Sequence, residues 1–217
     1  MTVIMESAEV FERPGVRGFL HSTTQSPPTA AMVLVHGAGG NCRVPLMVAV
    51  ASAFADVGYV VLRCDLAFRQ ERAQGPPRGS PQRDQESIRL AVAAVREIAP
   101  GCPVMVAGHS YGGRQATMAA SETPELADGL LLLSYPLHAP GKAEAPRTQH
   151  FPRLRTPALF VHGTRDPFGS IEDMAAALGA IPARHALRVV EGGRHGLPPG
   201  LAPSIAAWFE AFRVGDD

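Results

Sequence analysis

The sequence predicts an α/β domain with a mainly parallel central sheet and helices on both of its faces. Three observations carry that expectation. Six short apolar runs recur along the chain. Each is apolar on both faces, as strands buried inside a parallel sheet must be. Segments of helical period lie between them, which gives the β-α alternation of a parallel fold.

Residues 3–30 depart from this rhythm. They hold no helical pattern, but weak strand patterns around 8–11 and 17–21 predict an antiparallel hairpin at the sheet edge. The apolar runs follow at 31–37 (AMVLVHG), 59–65 (YVVLRCD), 103–110 (PVMVAGHS), 129–135 (GLLLLSY), 157–163 (PALFVHG) and 186–192 (ALRVVEG). Helices are expected over 45–55, 82–98, 111–122, 170–178 and 202–212. Ser170, with Asp173 three residues on, marks the start of the fourth of these, a polar cap with an acidic side chain in the first turn. The Pro-, Gly-, Arg- and Gln-rich stretch 67–85 reads as a surface loop, and 136–156 (PLHAPGKAEAPRTQHFPRLRT) as an irregular segment too short for a helical lid domain. No repeat and no linker interrupts the pattern, so residues 1–217 are expected to form one domain.

Basic and acidic residues number 20 each, for a formal net charge of zero. No global field therefore favours nucleic acid or an anionic membrane. Cys42, Cys64 and Cys102 are widely spaced and odd in number, which fits neither a disulfide framework nor a CxxC pair. The opening MTVIMESAEVFERPGV lacks a basic region followed by an apolar core, so no signal peptide is expected. The apolar runs are far shorter than the roughly 20 residues that cross a bilayer. These features predict a soluble, cytoplasmic protein that engages no nucleic acid and no membrane. They leave the oligomeric state open.

The chemistry is carried by Gly108-His109-Ser110-Tyr111-Gly112, at the junction of an apolar run and a helical segment. G-x-S-x-G at a strand-to-helix turn is a nucleophile elbow. The turn is tight enough that only small residues fit two positions either side of the serine. The following helix aims its N-terminal amides at the reacting oxygen. A serine nucleophile needs a base and an acid that orients the base. In folds built on such an elbow these come from loops after later strands, in the order serine, acid, histidine. Asp166 lies just beyond the run 157–163 and His195 just beyond the run 186–192, so both fall at carboxyl ends of parallel strands. Asp65 and His36 also end strands but precede Ser110; Glu144 is far from its strand end, and His162 lies inside a run. The loop HGAGGN after the first central run supplies the second oxyanion donor, so the donors are assigned to the backbone N–H groups of Ala38 and Tyr111.

With these residues in hand, the chain resembles the α/β-hydrolase superfamily over its whole length, and its compact size is similar to the dienelactone-hydrolase-like group. It is more closely similar to a small branch of predicted hydrolases with testis-expressed and chromatin-complex relatives in animals. The motifs that carry this are HGAGGN, RCDLAFRQER, YPLHAPGK, RTQHF and GTRDPFG. The resemblance implies a single α/β-hydrolase domain with a Ser-His-Asp scaffold in Ser110, His195 and Asp166. Dienelactone hydrolases proper use cysteine where this chain has Ser110, so their lactone chemistry does not carry over.

The expected reaction is acyl transfer from a small ester or thioester to water. The alternatives are peptidase or perhydrolase chemistry on the same triad, or a hydrolase-like binding module. No cluster of ligand spacing and no G-x-G-x-x-G after the first run is present, so no metal and no organic cofactor is expected. The pocket is expected to be open and shallow. Arg43, Arg69, Arg72 and Arg114 lie near the active edge and are candidates for binding an anionic substrate group; Arg114 has a second reading, as a partner of a buried acid such as Asp65.

Overall fold

In the computed structural model, which describes residues 8–139 and 146–215, the N-terminal segment folds as a hairpin. Ala8–Arg13 (β1) and Val16–His21 (β2) pair antiparallel, with Ala8 opposite His21 and Gly15 at φ +76° in the turn. The hairpin joins the sheet through β2, which runs antiparallel to Tyr59–Cys64 (β4). All further pairings are parallel: β4 with Ala30–Val35 (β3), β3 with Val104–His109 (β5), then Gly129–Leu133 (β6), Ala158–Gly163 (β7) and His185–Val190 (β8). The strand order is β1-β2-β4-β3-β5-β6-β7-β8. The chain leaves β3 towards one edge and later returns through β5 on its other side. This reversal opens a crevice beyond the carboxyl ends of β3 and β5, where open α/β sheets bind their ligands.

The alternation of side chains along each strand divides the core in two. Val33, Val106, Leu132 and Phe160 face Pro81–Ile98 (α3), Tyr111–Glu122 (α4) and Ile171–Leu178 (α5). Met32, Leu34, Leu131 and Val161 face Pro45–Asp56 (α1) and Ala202–Val214 (α6). Both faces are covered, which is why the strands read as unbroken apolar runs. The α5 start is as expected: Ser170 is the N-cap and accepts from the Asp173 N–H at 3.0 Å.

Two segments read as irregular contain short helical turns. Ala67–Glu71 forms a helix (α2) inside the expected surface loop, with Phe68 and Arg69 buried. It has no side-chain cap and is too short to show a helical period, so nothing in its sequence announces it. Within the described part of 136–156, Phe151–Arg153 makes a 3-10 turn that buries Phe151 against Tyr135, with ring centroids 5.4 Å apart. Glu144 lies outside the described residues. Among the described residues no helix is long and apolar enough to cross a membrane.

Two buried imidazoles set an acid limit on this fold. His21 accepts from Arg63 Nε at 2.7 Å, and burial together with the Arg63 charge lowers its pKa from 6.5 to about 4. His150, with Nε2 2.8 Å from Thr117 Oγ1, is lowered to about 4 by burial and by Arg114 and Arg153. The unfolded chain takes up these protons near pH 6.5 and the folded chain only near pH 4. Stability is therefore full above pH 6.5 and falls as the pH drops towards 4, by up to about 1.4 kcal/mol per pH unit for each histidine. Urea unfolding is expected to show a lower midpoint at pH 5 than at pH 7, and equal midpoints would contradict this.

Candidate active site

Ser110 sits between β5 and α4 at φ 52°, ψ −119°, a left-handed conformation that side chains other than glycine rarely adopt. Such strain costs on the order of 1–3 kcal/mol and is sustained only where the surroundings enforce it. Here they do so by contact. A Cβ on Gly108 would lie 2.5 Å from Gly113 N, and one on Gly112 would lie 2.5 Å from the His36 carbonyl oxygen. The strand end, the helix start and the β3 loop thus close around the serine. The Tyr111 ring is pinned outward, its hydroxyl donating to Asp84 Oδ2 at 2.6 Å while Asp84 Oδ1 accepts from the Phe68 N–H at 3.0 Å.

The serine, histidine and carboxylate form one continuous chain of hydrogen bonds. Ser110 Oγ lies 2.7 Å from His195 Nε2, and His195 Nδ1 lies 2.8 Å from Asp166 Oδ2. Asp166 is held rigidly. Its other oxygen accepts from the Phe168 N–H at 2.9 Å, and its side chain has no solvent exposure. His162, buried in β7, donates from Nε2 to the Gly169 carbonyl at 2.9 Å and so braces the same loop from below.

The loops bearing acid and base are stitched together by backbone. Arg165 N–H donates to Gly193 O at 2.8 Å and Thr164 N–H to Val190 O at 3.1 Å. A Cβ on Gly163 would lie 2.3 Å from Gly193 O, so the approach requires glycine. His109, next to the serine, closes the ring: its Nε2 is 2.9 Å from the His195 carbonyl, which accepts from it. Burial lowers the His109 pKa, so the neutral ring serves as this strut. The edge of Phe168 packs on the His195 ring, with centroids 4.4 Å apart.

Ala38 and Tyr111, the expected oxyanion donors, both line the cavity over Ser110. Tyr111 opens α4, so its N–H has no intrahelical acceptor. The Gly37–Ala38 peptide is oriented by two contacts on its carbonyl. Gly37 O accepts from His36 Nδ1 at 2.8 Å and from the Gly40 N–H at 3.1 Å. In a trans peptide the N–H points opposite to the carbonyl, so the Ala38 N–H is turned away from these partners. Leu66 N–H donates to His36 Nε2 at 3.2 Å, which leaves the ring proton on Nδ1, and burial holds the ring neutral by lowering its pKa. The sequence sets His36 aside as a base because it precedes Ser110 and makes it the first residue of the HGAGGN loop; its position here is that of a group orienting that loop's peptide. His36→Phe is expected to lower kcat by about tenfold, less than the 10²–10³ lost with an outright oxyanion donor. Steady-state kinetics on an activated ester checks this, and an unchanged kcat would show that the peptide needs no imidazole to hold its orientation.

The four candidate arginines do not converge. Arg69 is 3% exposed and donates to backbone carbonyls of Ala38, Gly40, Arg72 and Gly75 at 2.8–3.2 Å. It clamps the loop after β3, so its guanidinium is engaged by backbone carbonyls and does not line the cavity over Ser110. Arg43 stacks on the Phe19 ring at 4.4 Å and does not line the cavity. Arg72 is exposed on the loop after α2 and does not line it either. Arg114 is not paired with Asp65. That carboxylate accepts from the Cys42 N–H at 2.8 Å and lies 3.4 Å from Arg17.

The cavity has a volume of about 920 Å³, larger than the shallow pocket expected. Pro76 and Pro77, in the stretch read as plain surface loop, line it, as do Pro136, His138 and Arg147 from the segment after β6. Pro136 and His138 belong to YPLHAPGK and Arg147 to RTQHF, but neither motif announces a cavity wall, and the fold brings these residues in. Among the described residues, no group of three His, Cys, Asp or Glu side chains is placed to hold a metal.

A family model described as an alpha/beta hydrolase domain matches residues 28–203. Solved structures of similar fold include Est1E from Butyrivibrio proteoclasticus, 17% identical with a TM-score of 0.75, covering 96% of this chain and 99% of that one. A dienelactone hydrolase from Anabaena variabilis is 19% identical with a TM-score of 0.77, covering 96% and 98%. TT1662 from Thermus thermophilus is 24% identical with a TM-score of 0.74, covering 95% and 97%. The strand order, the strained serine at the crevice and the match over most of the chain agree: this chain belongs to the alpha/beta hydrolase family.

Proposed function

We propose that the chain is a serine hydrolase that cleaves small carboxylic esters or thioesters through an acyl-enzyme. The observation that carries this reading is the chain of hydrogen bonds from Ser110 through His195 to Asp166, at 2.7 and 2.8 Å, beside a cavity lined by Ala38 and Tyr111. Ser110 Oγ attacks the substrate carbonyl while His195 Nε2 takes its proton. Asp166 keeps the imidazole in the tautomer that leaves Nε2 free as acceptor, and stabilises the cation that forms. The carbonyl oxygen becomes an oxyanion facing the N–H groups of Ala38 and Tyr111, where preorganised donors stabilise the tetrahedral intermediate. His195 then protonates the departing alcohol or thiol. Water enters, gives a proton to His195 and releases the acid from the serine, with no metal or organic cofactor taking part.

Within the family, the motifs HGAGGN and GTRDPFG support assignment to the small branch with testis-expressed and chromatin-complex relatives. The free thiols of Cys42, Cys64 and Cys102 favour a reducing, cytoplasmic setting. The reading is tested by rapid mixing with 4-nitrophenyl esters of increasing acyl length. A burst of nitrophenol equal to the enzyme concentration, followed by slower turnover, is expected where deacylation limits the rate. Absence of turnover on every ester in the series and on the matching thioesters would overturn it.

A further inference from the structure

The cavity over Ser110 is mostly apolar; apart from His109, Ser110, Tyr111 and His195, its polar side chains are His138 and Arg147. Among the described residues, Arg147 is the one arginine or lysine that lines it, and no Asp or Glu does. The backbone of Arg147 is fixed from both sides, its N–H donating to Leu137 O at 2.8 Å and its carbonyl accepting from the Tyr135 hydroxyl at 2.9 Å. The guanidinium itself has no carboxylate partner among the described residues; the charged group that acts on it is a second guanidinium, that of Arg114. Arg114 stands one helical turn beyond the nucleophile, its N–H donating to Ser110 O at 3.0 Å. Among the described residues its Nε is buried with no hydrogen-bond partner, and so is Nδ1 of His138, which lines the same cavity.

This arrangement runs against the usual rule. Buried polar atoms are almost always hydrogen-bonded, and like charges held close together repel. The strain is registered in Arg147, whose pKa is pushed down by burial and by the Arg114 charge. An anion placed at Arg147 removes the repulsion and supplies acceptors for the guanidinium. A carboxylate suits it well, since the planar fork of arginine donates two parallel hydrogen bonds to it.

We propose that Arg147, backed by Arg114, is a carboxylate-recognition site, so that the preferred substrate is an ester carrying a free carboxylate beyond an apolar segment. The cleavage of that ester rests on the hydrolase reading above, but the anion site is testable without turnover. In the sequence Arg147 opens the motif RTQHF, but nothing there places it near Ser110; only the fold brings it into that cavity.

The test is calorimetric titration of Ser110→Ala with monomethyl adipate and with dimethyl adipate, which differ in one carboxylate. The monoester is expected to bind about ten- to a hundredfold more tightly, the range of one charge-assisted hydrogen bond. Adding Arg147→Gln is expected to abolish the preference, while Arg147→Lys keeps part of it as a point charge without the bidentate fork. Arg89→Gln, which removes a surface charge paired with Glu122 at 3.0 Å, is expected to keep all of it. Equal binding of the two ligands, no binding of either, or a preference that survives Arg147→Gln would each overturn the proposal. Failure of the hydrolase reading looks different: the monoester preference persists and depends on Arg147, while the wild-type protein cleaves no ester.

Discussion

Ser110→Ala is expected to lower kcat on activated esters by about 10⁶, the loss seen when a triad nucleophile is removed from a serine hydrolase. The protein should remain folded. The Ser110 hydroxyl contributes only its 2.7 Å bond to His195, and the strained backbone at φ 52° is set by Gly108, Gly112 and their neighbours rather than by the side chain. Thermal unfolding should therefore show a midpoint close to that of the wild type, while activity falls to background. Activity retained near the wild-type level would mean that another group attacks the substrate.

Asp166→Asn is expected to lower kcat by about 10⁴, for a reason visible in the hydrogen bonds. Asp166 Oδ1 accepts from the Phe168 N–H and Oδ2 accepts from His195 Nδ1. An asparagine must keep its carbonyl oxygen on the Phe168 N–H, which turns its NH₂ towards Nδ1. His195 then carries its proton on Nε2, facing Ser110, and no longer accepts from it. Because acid and base act as one unit, combining this change with His195→Ala should add far less than the product of the two losses. A double-mutant cycle in kcat measures this, and multiplicative losses would mean that the two residues act independently.

How far the site could be read from the chain depended on the kind of signal involved. The strands were legible because they are buried on both faces and so leave continuous apolar runs; each expected run overlaps a strand, with ends shifted by one or two residues. Ser110 is marked by the G-x-S-x-G elbow and Asp166 and His195 by their order at later strand ends, and the structure puts the three side chains in hydrogen-bond contact. The helix Ala67–Glu71 was invisible because docking of Phe68 and Arg69, not local propensity, holds it. For the same reason Arg69 read as a substrate arginine. That it instead clamps the Ala38 and Gly40 carbonyls is a tertiary fact, set by loops some 30 residues apart. Arg147 and the proline wall of the cavity entered from segments that read as irregular, where side-chain direction has no period to betray it.

The claim on which the whole reading turns is that Ser110 is a nucleophile activated by His195. It is tested most directly by treating the protein with a fluorophosphonate and locating the adduct by peptide mass spectrometry. A single adduct on Ser110, formed rapidly by the wild type and lost in both Ser110→Ala and His195→Ala, is the predicted result. No adduct on the folded wild-type protein, or labelling of Ser110 that proceeds unchanged without His195, would contradict it.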